Sequence, residues 1–317
     1  MHTHAPHSLA PWQHDHRFGL HVQARTERSA LLVALISAVT MAAEIAGGLI
    51  TGSMALLADG LHMGSHTLAL GLSAFAYVWM RRHAGKDSYA LGTGKISALS
   101  GNIGALLLIV PAVSMTWESI GRLIEPHAID FSWALTIAVV GLLVNAGCAL
   151  ILQQREHRHE DGHEQGHHHG AHHRHGDHNL RSAYLHVIAD AATSVLAIVA
   201  LLGGAYWGYL WFDPAIGLVG AALVLVWGGG LLRDSSAILL DRSAPREVLD
   251  RVRQAIEQKD DNRLADFHVW SIGPGFYAAA LSVVTHHPKS ADYYRALIPH
   301  DAGIRHATIE VHSCAAE

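Results

Sequence analysis

Six stretches of this chain stay apolar over about 18 residues or more, the length at which an α-helix crosses a bilayer. They are Ala30–Ile50, Ser53–Met80, Ile96–Ile120, Phe131–Leu152, Ala183–Tyr206 and Pro214–Leu232. Hydrocarbon offers no hydrogen bonds, so a spanning segment must satisfy its own backbone, and continuous apolar runs do so as helices. The sequence therefore predicts an all-α six-helix transmembrane domain over 29–233. Only 15% of the residues are charged, against about 25% in a soluble globular chain, and the charges thin out between Leu31 and Leu232.

The links between the runs alternate in charge. Arg17, Arg25 and Arg28 precede the first run; Arg81, Arg82, Lys86 and Lys95 separate the second and third. Arg155, Arg158, Arg174 and Arg181 separate the fourth and fifth, and Arg233 and Arg242 follow the sixth. The opposite links, Thr51-Gly52, Gly121–Asp130 and Trp207–Asp213, hold Arg122 as their only basic residue. An excess of Lys and Arg marks cytoplasmic links, so a multi-pass protein with both termini in the cytoplasm is expected.

Three polar segments flank or interrupt the runs. Segment 1–28 shows no signal-peptide pattern and carries scattered His2, His4, His7, His14, His16 and His21. Segment 153–179 is of low complexity and reads as a disordered cytoplasmic loop. Its His163, His167, His168, His169, His172, His173, His175 and His178 are candidates for weak metal capture, because imidazole is the commonest transition-metal ligand; a solubilising linker is the plainer reading. The tail, 243–317, shows an α-β-β-α-β pattern that suits a small α+β ferredoxin-like domain. Its first helix is expected to open with Ser243 as N-cap, followed by early Pro245 and Glu247. Strands are expected at Asp266–Ile272, Phe276–Thr285 and His306–His312, with a short helix at Ala291–Ile298. Cys148 and Cys314 lie far apart and form neither a disulfide framework nor a CxxC zinc motif.

Ionisable residues inside spanning helices are costly and mark functional sites. The second run carries Asp59, His62 and His66, and the fifth carries His186 and Asp190. The spacing of His62 to His66, and of His186 to Asp190, repeats on one helical face. Two such helices facing each other offer three imidazoles and one carboxylate, the four ligands of a tetrahedral transition-metal site. A single buried His is as readily a hydrogen-bonded packing residue, but two pairs on two runs fit a metal site better. Imidazole favours Zn²⁺, Co²⁺ and Ni²⁺ over hard cations. Asp59, one turn before His62, is placed to offset the remaining positive charge from outside the ligand set. Glu44, Asn102 and Asn145 are further polar residues in the runs, for which helix-to-helix hydrogen bonding is the plain role.

On these residues the chain resembles the cation diffusion facilitator transporters over nearly its whole length. The matching pieces are Gly52-Ser-Met-Ala-Leu-Leu-Ala-Asp-Gly-Leu-His62, Tyr89-Ala-Leu-Gly-Thr-Gly-Lys95, the pair His186 and Asp190, and Phe267-His-Val-Trp270. The resemblance implies a homodimer in the inner (cytoplasmic) membrane that exports divalent cations in exchange for protons. It implies His62, His66, His186 and Asp190 as the transport site and a metal-binding tail. His66 stands where zinc exporters of the family usually have Asp, and this points to the branch exporting Co²⁺, with Ni²⁺, Cd²⁺ and Zn²⁺ as further substrates. Ser97 departs from an acid found there in many members. In the tail, His268, His286, Glu310 and His312 are candidates for a second metal site, Glu310 and His312 alternating on one strand face.

Neither a cofactor beyond the transported ions nor a nucleic-acid partner is expected; membrane lipid is. An intramembrane metalloprotease would need Glu after the first His of an HExxH motif, and Met63 stands there. A membrane-anchored metal sensor would leave the paired intramembrane residues without a purpose. A zinc-preferring exporter differs only in the ion it selects.

Overall fold

The computed structural model describes residues 28–83, 89–160 and 176–314, with side chains described outside 28–34, 149–160 and 176–190 and at neither His66 nor Leu70. Six long helices come first: α1 (Arg28–Thr51), α2 (Met54–His83), α3 (Lys95–Ile124), α4 (Phe131–Glu160), α5 (Gly176–Trp207) and α6 (Phe212–Leu239). Each covers one of the six apolar runs. Among the described residues, Lys95–Ile124, Phe131–Cys148 and Phe212–Leu239 are long and apolar enough to cross a membrane, and Leu35–Thr51 and Ala191–Trp207 are shorter apolar stretches. α4 continues through Gln153–Glu160 and α5 begins at Gly176, so the His-rich segment expected to be loop throughout is helical at both ends. Gln, Glu and Arg at the α4 end are good helix formers, and they prolong a helix that the apolar run has already nucleated. His163, His167, His168, His169, His172, His173 and His175 lie outside the described residues, as does the N-terminal His set. His178 lies on α5, with its side chain outside the described part.

The chain divides into two compact units, one holding Arg25–Leu72 and Ile103–Leu232, the other Ser73–Asn102 and Arg233–Glu317. In the first unit α2 is the central helix. Its Met54 and Ala58 pack on Met115 of α3 and Ala221 of α6. Leu56 packs on Ala134 and Ala138 of α4 and Leu201 of α5, and Ala55 packs on Ala197 and Ala200 of α5. Small residues let the backbones approach closely, as membrane helices require when the solvent is itself apolar. A Cβ on Gly48 of α1 would lie 2.7 Å from the Leu57 backbone nitrogen of α2. Outside this core the unit exposes Ile50, Trp117, Leu143 and Val226, an apolar surface suited to lipid. Trp117, Trp133, Tyr206, Trp207, Tyr209 and Trp211 are exposed near the α3–α4 and α5–α6 turns, as in an aromatic belt at a membrane interface.

The turn into α2 shows how the Gly-Ser-Met motif acts. Gly52 takes φ +75 and breaks the chain out of α1. The Ser53 hydroxyl oxygen accepts from Leu56 N at 3.0 Å, a local N-cap. The Asp213 carboxylate of α6 then accepts from Ser53 Oγ at 2.6 Å, Met54 N at 2.7 Å and Ala55 N at 3.2 Å. These backbone N–H groups are ones that a helix start leaves without intrahelical partners, and the carboxylate also meets the positive end of the helix dipole. Arg122 of α3 donates through Nη1 to the Gly52 carbonyl.

In the second unit, Arg246–Glu257 (α7) lays Val252 and Ile256 on a three-stranded sheet. The strands are β1 (Arg263–Gly273), β2 (Phe276–Thr285) and β3 (Ile304–Ser313), in spatial order β1-β2-β3. β1 and β2 form an antiparallel hairpin through Gly275 at φ +72, whereas β3 returns parallel to β2 by way of α8 (Ala291–Leu297). The α-β-β-α-β order is the expected one. Ser243 does not cap α7, which starts after Pro245 without a side-chain cap. It is instead drawn into a short antiparallel bridge with Trp270, where Ala244 N donates to the Val269 carbonyl at 2.8 Å. A strand edge that accepts this backbone outcompetes the local cap. The Tyr89–Lys95 motif belongs to the same unit. A Cβ on Gly94 would fall on the Ile272 carbonyl, and Lys95 pairs with Asp241 at 2.5 Å.

Removing the acceptor at the α2 start should be felt throughout the first unit. Asp213→Ala strands buried donors at about 1–3 kcal/mol each. It is expected to lower the thermal unfolding midpoint of the detergent-solubilised protein well beyond Asp213→Asn, which keeps one acceptor oxygen. Tryptophan fluorescence during heating measures the two shifts.

Candidate metal site in the membrane

With its start fixed by Ser53 and Asp213, α2 carries Asp59 and His62 inward, each only 2% exposed. His62 lies against α6, its ring centroid 5.3 Å from that of Trp227 and tilted by 47°. Asp59 lines a narrow cleft shared by three helices. Ala55 and Ala58 of α2, Thr193 and Leu196 of α5, and Gly220 of α6 form its other walls. Gly220 is required there, because a Cβ on it would stand 2.6 Å from the Ala58 Cβ.

His186 and Asp190 lie on α5, seven and three residues before Thr193. Their side chains and that of His66 lie outside the described part. Among the described residues no group of three or more His, Cys, Asp or Glu comes together. The structure thus places Asp59 and His62 in the core and sets the α2 and α5 backbones against each other through Ala55, Ala197 and Ala200.

The remaining intramembrane polar residues differ in how they are satisfied. Asn145 Nδ2 of α4 donates to Met63 Sδ of α2 at 3.0 Å, and Asn102 Nδ2 of α3 donates to Ser236 Oγ of α6 at 2.8 Å. Both are the helix-to-helix links expected of them. Glu44 is different. It is fully buried on α1, and neither carboxyl oxygen has a hydrogen-bond partner among the described residues. Sequence reasoning noted Glu44 but missed its isolation. The available signal was the glycines: Gly60 and Gly141 lie opposite it on α2 and α4.

The candidates in the tail are spread across the sheet. Val269, Leu281 and Val283 point into the core, so their strand neighbours point outward. His268 of β1 is held by Asp266 at 2.8 Å on that outer face. Glu310 and His312 share the outer face of β3, 3.7 Å apart. β2 separates the two pairs: Asp266 and Glu310 both register with Ser282, which puts two strand spacings, about 10 Å, between them. His286 follows β2 and its Nδ1 lies 2.5 Å from Asp261. The Thr285 hydroxyl and the His286 backbone and ring hold the Asp261 carboxyl well below the usual carboxylate range. The carboxylate orients the imidazole and leaves Nε2 outward, the arrangement of a histidine supported for metal binding.

Comparison with known proteins agrees with this architecture. Residues 30–240 match the family model for the cation efflux transmembrane domain. The chain is 28% identical over 282 residues to the cadmium, cobalt and zinc/H(+)-K(+) antiporter of Bacillus velezensis, covering 87% of this chain and 85% of that protein. It is 29% identical to the zinc transporter ZitB of Escherichia coli, covering 87% and 84% of the two chains. The zinc transporter ZitB of Shigella flexneri is 31% identical over 75% of this chain and 71% of its own. The family model covers well over half of the chain, and its description fits a helical unit built around a buried Asp and His: this protein belongs to the cation efflux family of multi-pass membrane transporters.

Proposed function

We propose that this protein exports divalent transition-metal ions from the cytoplasm in exchange for protons, using His62, His66, His186 and Asp190 as its transport site. The observation that carries the reading is the burial of Asp59 and His62 beside a cleft whose opposite wall is the helix bearing His186 and Asp190. An ion entering there exchanges its water shell for imidazole and carboxylate. Each imidazole must be neutral to bind, and its ordinary pKa of about 6.5 lies near working pH. Protons arriving from the more acidic side therefore compete with the metal for the same nitrogens, which couples the two fluxes. Asp59 offsets the charge that one carboxylate ligand leaves on a divalent ion.

The six long helices are read as six spans with both termini cytoplasmic, in the inner membrane. The tail is read as a ferredoxin-like domain that supports a homodimer, and the His-rich segment as a weak metal collector at the cytoplasmic mouth. His66 stands where zinc exporters of the family usually have Asp, and on that resemblance to the cobalt-exporting branch the substrate is read as Co²⁺, with Ni²⁺, Cd²⁺ and Zn²⁺ as further substrates. A zinc-preferring exporter is the second reading, favoured by the relatives named as zinc transporters.

Uptake of Co²⁺, Ni²⁺, Zn²⁺ and Cd²⁺ into inverted vesicles under an imposed pH gradient tests these points. His186→Ala and Asp190→Ala are expected to reduce uptake by more than about tenfold, since loss even of a group supporting a ligand has that effect. Active variants would show that the ion binds elsewhere. Deleting 161–175 should lower uptake only at low metal concentration.

The same vesicles test selectivity through His66→Asp. The variant is expected to raise zinc uptake relative to cobalt. Unchanged ratios would remove the cobalt argument and leave the zinc reading.

A further inference from the structure

The Glu44 carboxyl sits where α1, α2 and α4 meet, and no solvent reaches it. A Cβ on Gly141 of α4 would fall inside its carboxyl group, and one on Gly60 of α2 would lie 3.0 Å from its Cβ. The neighbouring helices have been cut back to backbone to admit a polar side chain, yet neither oxygen has a hydrogen-bond donor among the described residues. Asn145, also on α4, gives its amide to Met63 instead.

An ionised carboxylate in such surroundings would have no water and, among the described residues, no counter-charge, which is prohibitively costly in a low dielectric. A neutral carboxylic acid fits them. The titratable groups on the packed elements point the same way. α1 has no other among its described residues. α2 presents Asp59, which interacts electrostatically with Glu44, and His62 one turn further on. α4 has only Cys148 between Phe131 and its cytoplasmic half, two turns beyond Gly141. Among the described residues, the charged group that acts on Glu44 is thus another carboxylate, and two neighbouring carboxyls do not both ionise without a cation.

We propose that Glu44 is a proton-carrying residue of the exchange cycle, holding a proton while the metal site is empty and releasing it when a divalent cation binds beside Asp59. The inference rests on the proposed metal–proton exchange and assigns part of its proton to a residue outside the ligand set. Binding of a dication replaces net negative charge near Glu44 by neutral or positive charge, so the O–H bond breaks heterolytically and the proton leaves to water. On metal release the proton returns, and the carboxyl is again neutral in its glycine-lined niche. Linkage makes this reciprocal: a proton held on Glu44 weakens metal binding as much as metal weakens the proton.

Calorimetric titration of the purified full-length protein with Co²⁺, in buffers of different ionisation enthalpy, counts the protons released per ion bound. Glu44→Gln keeps the shape and neutrality of the protonated side chain. It is expected to bind Co²⁺ while the released count falls by about one, and Glu44→Asp should restore part of it. Infrared difference spectra of wild type should lose a protonated-carboxyl band on Co²⁺ binding, and Glu44→Gln should lack that change. A wild-type count in Glu44→Gln, or loss of Co²⁺ binding altogether, overturns the proposal; the latter would make Glu44 a needed anion. If wild-type protein itself releases no protons on binding Co²⁺, the exchange reading falls and takes this one with it.

Discussion

The Asp213 carboxylate fixes the membrane unit at the point where α2 begins. It accepts from Ser53, Met54 and Ala55 together, so the first residues of α6 set both the start and the rotational register of α2. Rotation matters because α2 is the helix that every other helix of the unit touches. Two turns beyond the cap, that register brings Asp59 to the α5–α6 cleft and His62 to Trp227. A slip of one residue would turn both by about 100°, toward helices lined by alanine and leucine. A dipole-favoured contact at the start of α2 thereby positions Asp59 and His62 two or more turns away.

Buried carboxyls are stabilised in different ways along the same unit. Asp213 accepts three hydrogen bonds at a helix N-terminus. Glu44 has no hydrogen-bond partner among the described residues. Asp59 lines the cleft between α2, α5 and α6. Ionisable groups are costly within spanning helices, and these three carboxyls meet that cost in different surroundings.

Much of this could be read from residue order alone, and the reason is physical. Apolar runs favour helices in lipid, and each run lies in one of the helices α1–α6, although α4, α5 and α6 extend beyond the expected bounds; the tail's alternation gave its strands in order. What was not legible depends on partners distant in sequence. Asp213 stood in the sequence only as the end of a link between runs, whereas its carboxylate caps a helix 159 positions earlier. Ser243 read as an N-cap because local preference says so, but the edge of β1 claimed that backbone. Glu44 read as a hydrogen-bonding residue, since only the packed glycines of two other helices reveal a niche in which no described residue donates to it.

The tail shows the same limit for metal ligands. Alternation along β3 correctly put Glu310 and His312 on one face, a property internal to a single strand. Which residues lie across from them depends on strand order. With β2 in the middle, the backbone at Asp266 and His268 of β1 lies two strand spacings, about 10 Å, from that of β3. Bringing both pairs to one ion would fall to the reach of the side chains across β2, a property of the assembled sheet that no single strand's alternation encodes.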